Sequence, residues 1–209
     1  MVETQGTLWS RYGFVGGALC LDFVNTVASR PSADRDDLRT YEDLLRWGVA
    51  AGSLSPTEAE GLRRRATEHP EAARTAAAHA RSVRAAMFEA LAARIDKTPL
   101  PAKPMAEINA ALGAAMAHLR LADGTGAGEI GWAWDTPEET LDRPLWPVLR
   151  SLADVMTEAP ADRLRLCAGD SCDWMFLDTS KNGKRCWCDM SVCGNRAKAT
   201  RHYSRRKEG

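Results

Sequence analysis

No stretch of the 209-residue chain is long and apolar enough to cross a bilayer. The longest apolar run near the N-terminus, Tyr12 to Leu21, lies between Arg11 and Asp22. It is half the roughly 20 residues a helical span needs, so no membrane partner is expected. The opening Met-Val-Glu-Thr lacks a basic segment leading into an apolar core. No secretory leader is therefore expected, and the location is read as cytoplasmic. Net charge is absent too: 28 Lys and Arg balance 28 Asp and Glu, so overall charge names no partner. The four histidines (His69, His79, His118, His202) are scattered. There is no serine nucleophile elbow, metalloprotease helix or Walker motif, and no carboxylate pair has an identifiable partner. Catalysis is not expected. Cysteine is nearly missing from the first 166 residues, where Cys20 stands alone in an apolar run and reads as an inert buried thiol.

What is present is an ordinary globular composition, 44% apolar and 27% charged. The length suits one domain, or one domain with a small module. The zero net charge hides an asymmetry. Up to Asp162 the chain carries 17 basic and 23 acidic residues; from Arg163 it carries 11 and 5. A basic end thus follows an acidic body.

The body reads as helical. Ala18 to Val27 is a short, mostly buried helix. Asp36 or Asp37 is placed to cap a second helix carrying Leu38, Tyr41, Leu44, Leu45 and Val49. Ser55-Pro56-Thr57-Glu58 is a capping-box pattern that opens a third, running to about Glu68. Pro70 to Asp96 is Ala-rich with apolar residues four apart, and Met105 to His118 is a further helix. Leu119 to Ala122 and Glu129 to Trp134 alternate as strands around a Gly-rich turn. This turn lacks the Lys and Ser/Thr of a phosphate loop. A last helix covers Leu145 to Thr157, and Ala159-Pro160-Ala161-Asp162 marks a boundary. The division is residues 1–160, helical, and residues 163–209, a separate module.

Five of six cysteines lie in that module, four with the spacing Cys167-x4-Cys172-x15-Cys188-x4-Cys193. Two cysteine pairs, each on a tight turn, are what a tetrahedral metal site needs. In a reducing compartment such clusters are metal ligands rather than disulfides. Four thiolates leave no open coordination position, so one structural Zn²⁺ is expected; an iron–sulfur cluster has compatible ligands. Cys186 lies on the same side of an extended strand as Cys188. Cys188 gives the symmetric spacing, and Cys186 is assigned as a free thiol. Between the pairs, Trp174 to Asp178 reads as a strand, Asn182-Gly183 as a hairpin turn and Lys184 to Cys188 as the return strand. A helix follows, with Cys193 at its start.

From Gly194 to Lys207 there are six Lys and Arg and no acid. Allowing about −2 for a zinc tetrathiolate, the module stays near +4. Arg196, Lys198, Arg201, Arg205 and Arg206 are the candidate nucleic-acid contacts, with DNA the first choice and RNA open. Asp22, Asn25 and Thr26 interrupt an apolar run on one helix face. They either line a polar pocket for a small-molecule effector or make buried hydrogen bonds to neighbouring chain. Trp132, Trp134 and Trp146 are placed to wall a pocket but read first as core or as a subunit interface, and a homodimer would supply a second DNA contact.

Cys193-Gly194-Asn195-Arg196, preceded by Trp187-Cys188-Asp189-Met190, resembles the signature of the bacterial CGNR zinc-finger family. Leu19-Cys20-Leu21-Asp22-Phe23-Val24-Asn25-Thr26 is similar to the opening motif of the ABATE domain that precedes that finger. The resemblance spans essentially the whole chain. It implies an intracellular bacterial stress-induced transcription regulator in which Cys167, Cys172, Cys188 and Cys193 hold the metal. The family usually has a basic residue where this chain has Cys186, which leaves that thiol outside the shell and open to metal competition or oxidation. Asn195 and Arg196 are placed to order the turn and the metal surroundings, or to touch base or phosphate.

The expected fold is therefore mainly α with a small β-hairpin: a helical N-terminal domain followed by a four-cysteine, treble-clef-like zinc finger of hairpin plus helix. The expected function is zinc-dependent transcription regulation through the basic helix. Two other readings compete: a protein-interaction adaptor, and a small-molecule-binding protein in which the finger is purely structural.

Overall fold

The computed structural model describes residues 7, 9–10, 13–28, 35–123, 128–135 and 140–207, without the side chains of 201, 202 and 204–207. Its elements are α1 (Leu19–Val24), β1 (Val27–Ala28), β2 (Arg35–Asp36), α2 (Tyr41–Ala50), α3 (Pro56–Glu68), α4 (Pro70–Ile95), α5 (Ala102–Met116), β3 (Leu119–Asp123), β4 (Ile130–Trp134), α6 (Trp146–Glu158), β5 (Leu164–Leu166), β6 (Met175–Leu177) and α7 (Asn195–Lys207). Among the described residues no helix is long and apolar enough to cross a membrane.

The 26-residue α4 is the axle. Its buried residues Ala73, Ala77, Ala80, Met87 and Leu91 recur at helical spacing. The small side chains let α1, α2, α3 and α5 approach closely. α6 packs on α1 and α5, and Phe23 meets Trp47 edge-on at 5.0 Å. α3 starts at Ser55 with both halves of a capping box, as its sequence predicts. α2 begins later than expected. Thr40, not Asp36 or Asp37, caps it, with Asp43 reaching back to the Thr40 amide. Asp36 is otherwise engaged: it takes a two-pronged ion pair from buried Arg84, which also donates to Thr26 Oγ1 at 2.7 Å. α1 stops at Val24 rather than Val27, because Val27 and Ala28 pair with Asp36 and Arg35 as a short ribbon.

β3 and β4 form the expected hairpin, with Leu121 opposite Trp132; residues 124–127 of its Gly-rich turn lie outside the described residues. The second hairpin differs from expectation. β6 pairs with β5, across the first cysteine pair, and residues 184–188 form no strand. The cause is the Asp178 carboxylate. Its buried oxygens accept from the Ser180 amide and hydroxyl and from the Arg185 amide, so the segment after β6 folds around one side chain. Asn182-Gly183 still turns, with Gly183 at φ +60.

Candidate metal centre

The first cysteine pair sits at the tip of the β5–β6 hairpin. Cys167 donates its amide to Trp174 O at 2.8 Å, and the Cys172 amide bonds Gly169 O at 2.9 Å, closing a tight knuckle. Gly169 backs onto the thiols: a Cβ there would stand 3.3 Å from Cys172 Cβ and 3.5 Å from Cys193 Sγ. The second pair comes from the far side. Asp189 accepts from the Val192 amide at 2.9 Å and starts a π-helical turn, Met190–Gly194, that carries Cys193 and runs straight into α7. Cys193 therefore precedes the α-helix instead of opening it.

The four sulfurs of Cys167, Cys172, Cys188 and Cys193 lie within 4.8 Å of one another, and Cys188 Sγ is 3.7 Å from both Cys172 Sγ and Cys193 Sγ. Four sulfurs at about 2.3 Å from one zinc ion stand about 3.8 Å apart, so the cage has the size of a zinc tetrathiolate. Its electrostatics call for a cation. Hydrogen bonds from the Cys172 and Cys188 thiols, and then from the Cys188 amide, pull Cys167 toward the thiolate. Burial, and after it the charge of Cys167, then holds Cys193 up. One thiolate is easy and four are not, until a divalent ion neutralises them. The four cysteines are arranged so that they could hold one zinc ion. Cys186 is outside it: its exposed thiol points to Lys184 O. Cys20 is fully buried, and burial pushes its thiol up to about 12.

Arg185 carries much of the support. Its guanidinium lies 4.3 Å over the Phe176 ring, donates to Trp187 O at 2.9 Å and also to Cys188 O. It thereby fixes the loop that delivers Cys188. Asn195 and Arg196 act locally, as one expectation had it. Asn195 Nδ2 bonds Ser191 O at 3.0 Å, and Arg196 Nη1 reaches Ser171 Oγ at 3.0 Å, tying α7 to the first knuckle. Lys198 is exposed on α7. Arg201, Arg205 and Arg206 continue that helix, and their side chains lie outside the described residues.

The residues expected either to line an effector pocket or to bond buried chain are occupied by the protein itself. Asn25, 4% exposed, donates to Met175 O at 2.8 Å and accepts from Met175 N at 2.9 Å, acting as a strand partner for β6. Thr26 Oγ1 donates to Phe23 O, and Asp22 Oδ1 accepts from Gly16 N at 2.8 Å. The recess beside them is about 10 Å³, room for one water at most. Gly16 O accepts from Leu177 N, and Trp174 Nε1 donates to Val27 O. The 16–27 segment is thus a dock for the zinc hairpin. Sequence reasoning missed this, and also missed Asp178 and Arg185. Only the clustering of Asn25 and Thr26 at the end of an apolar helix marked the place. Trp134 and Trp146 pack beneath Arg143, while Trp132 is 57% exposed under Arg150.

The ABATE family, described as "Putative stress-induced transcription regulator", matches residues 17–159, and the CGNR zinc finger matches residues 163–206. No curated relative matches the chain. The N-terminal match begins at the dock and the C-terminal match contains every metal ligand. The chain belongs to the ABATE family and carries a CGNR zinc finger behind the ABATE domain.

Proposed function

We propose that the protein is a zinc-dependent, stress-responsive transcription regulator of the cytoplasm that contacts DNA through α7. The observation that supports this is the way α7 leaves the metal centre. It follows the Cys193 turn without a break, runs 13 residues, and presents six basic residues and no acid. At 1.5 Å per residue it is about 20 Å long, enough to follow a phosphate backbone or enter a major groove. Zinc held on Cys193 would anchor the turn that leads into α7, and Arg196 on Ser171 ties the helix to the first knuckle.

In this reading Lys198, Arg201, Arg205 and Arg206 neutralise phosphates and release counterions. A single short helix buries little surface, so operator selection needs a second copy or a second contact. The test is a salt titration of zinc-replete protein on random duplex DNA. The logarithmic slope should fall by about 2 when Arg201 and Arg205 are both replaced by Ala. An unchanged slope and affinity would remove α7 from the interface.

A further inference from the structure

The largest cavity described lies away from the zinc, between α2, α3 and α4, with a volume of about 530 Å³. This is within the range of small-molecule sites, roughly 300–1,000 Å³. Its floor is apolar, from Leu45, Ala73 and Ala77, all buried. Its walls carry Arg39, Arg63, Arg74 and Arg81 against one acid, Glu42, although the body up to Asp162 is net acidic.

The four arginines are not equivalent. Arg63 is held by Glu42 and Glu60, and Arg74 pairs with Glu71. Arg81 donates to the carbonyls of Leu38 and Arg39, and Arg39 Nε donates to Asp36 O. Among the described residues neither Arg39 nor Arg81 forms a carboxylate ion pair at contact distance; Asp36 feels the Arg81 charge only through space, and Asp43 meets Arg39 at its backbone amide. Their carbonyl bonds orient the two guanidinium planes. Two helices also start at this rim: α2 at Tyr41, and α4 at Pro70, whose first turn has no side-chain cap. Neither terminus adds a free anion site: Thr40 and Asp43 close the start of α2, and Glu71 stands in the first turn of α4 behind Pro70, which has no N–H.

We infer that this groove binds a phosphate-bearing small molecule, up to the size of a mononucleotide. Arg39 and Arg81 grip the phosphate, and the apolar floor takes the remainder. Guanidinium forks match phosphate oxygens two at a time, and the desolvated floor favours a ligand with an uncharged body. The site belongs to the ABATE domain and is independent of α7, so it supplies an input distinct from the proposed DNA contact.

The test uses the full-length, zinc-loaded protein with pyrophosphate and adenosine 5′-monophosphate in isothermal titration. Arg39→Gln and Arg81→Gln are the variants, and melting temperature and zinc content report their folding. Arg39 is exposed, so Arg39→Gln keeps the test meaningful if Arg81→Gln folds poorly. The expected result is saturable binding of at least one probe, weakened at least tenfold in Arg39→Gln, with affinity for random duplex DNA unchanged. No binding of either probe at 1:1 saturation conditions in low-millimolar ligand would overturn the inference. So would binding that Arg39→Gln leaves intact. Loss of duplex affinity in the variants without small-anion binding would assign the groove to a nucleic-acid backbone and overturn it equally.

Discussion

Replacing Asn25 by Ala removes the side chain that completes the edge of β6. The lost bonds are Asn25 Nδ2 to Met175 O at 2.8 Å and Met175 N to Asn25 Oδ1 at 2.9 Å. Met175 is 0% exposed, so water cannot replace either partner. A buried backbone group left unsatisfied costs about 1–3 kcal/mol, which puts the loss of both bonds at about 2–6 kcal/mol. Against a typical total of about 5–15 kcal/mol this is a severe lesion. Urea unfolding followed by far-UV circular dichroism, in excess zinc, measures it. Asn25→Asp separates hydrogen bonding from packing. It keeps the shape and the acceptor for Met175 N, but it faces a carboxylate toward Met175 O, and it should destabilise as much as Ala does. A loss under about 1 kcal/mol in both variants would refute the argument that Asn25 joins the helical body to the zinc hairpin.

Other perturbations have equally definite outcomes. Burial raises Asp22 to about 6 from an ordinary 3.8. With the folded pKa above the unfolded one, the unfolded chain releases its proton first as pH rises, so this group lowers stability between about pH 4 and 6. Asp22→Asn, which keeps the acceptor for Gly16 N, should raise stability at pH 7 by about 1–3 kcal/mol in urea unfolding, with no gain at pH 4. Arg84→Met strips Asp36 and Thr26 of a buried partner and should cost about 3–5 kcal/mol by the same assay. Cys172→Ser should lose stoichiometric zinc in metal analysis, whereas Cys186→Ser should keep one zinc per chain and change stability by less than about 0.5 kcal/mol.

The residues that announce themselves in the sequence are those whose partners are near in the chain. Ser55 and Glu58 are three apart and their capping box is present as read. The four metal ligands fall within 27 residues, and their spacing carries the site. The features that stayed hidden depend on distant or competing partners. Asn25 meets Met175 across 150 positions, and nothing in either local sequence names the other. Asp36 looked like a helix cap because Asp caps helices, but a buried arginine 48 positions away claimed it. Asn182-Gly183 marked a turn correctly. The strand assigned after it failed because the Asp178 side chain took the Arg185 amide that a ladder would have used. Local chemistry identified the elements and the metal, while tertiary hydrogen bonds decided their pairing.

The zinc finger and the helical body should unfold together, because Asn25, Trp174 and the Gly16 carbonyl stitch them at β6. One urea titration tests it directly, reading helicity by circular dichroism and zinc release by a chromophoric chelator in the same samples. Coincident midpoints are predicted. Zinc released at clearly lower urea, with helicity intact, would show that the finger melts alone and that the dock does not couple it to the body.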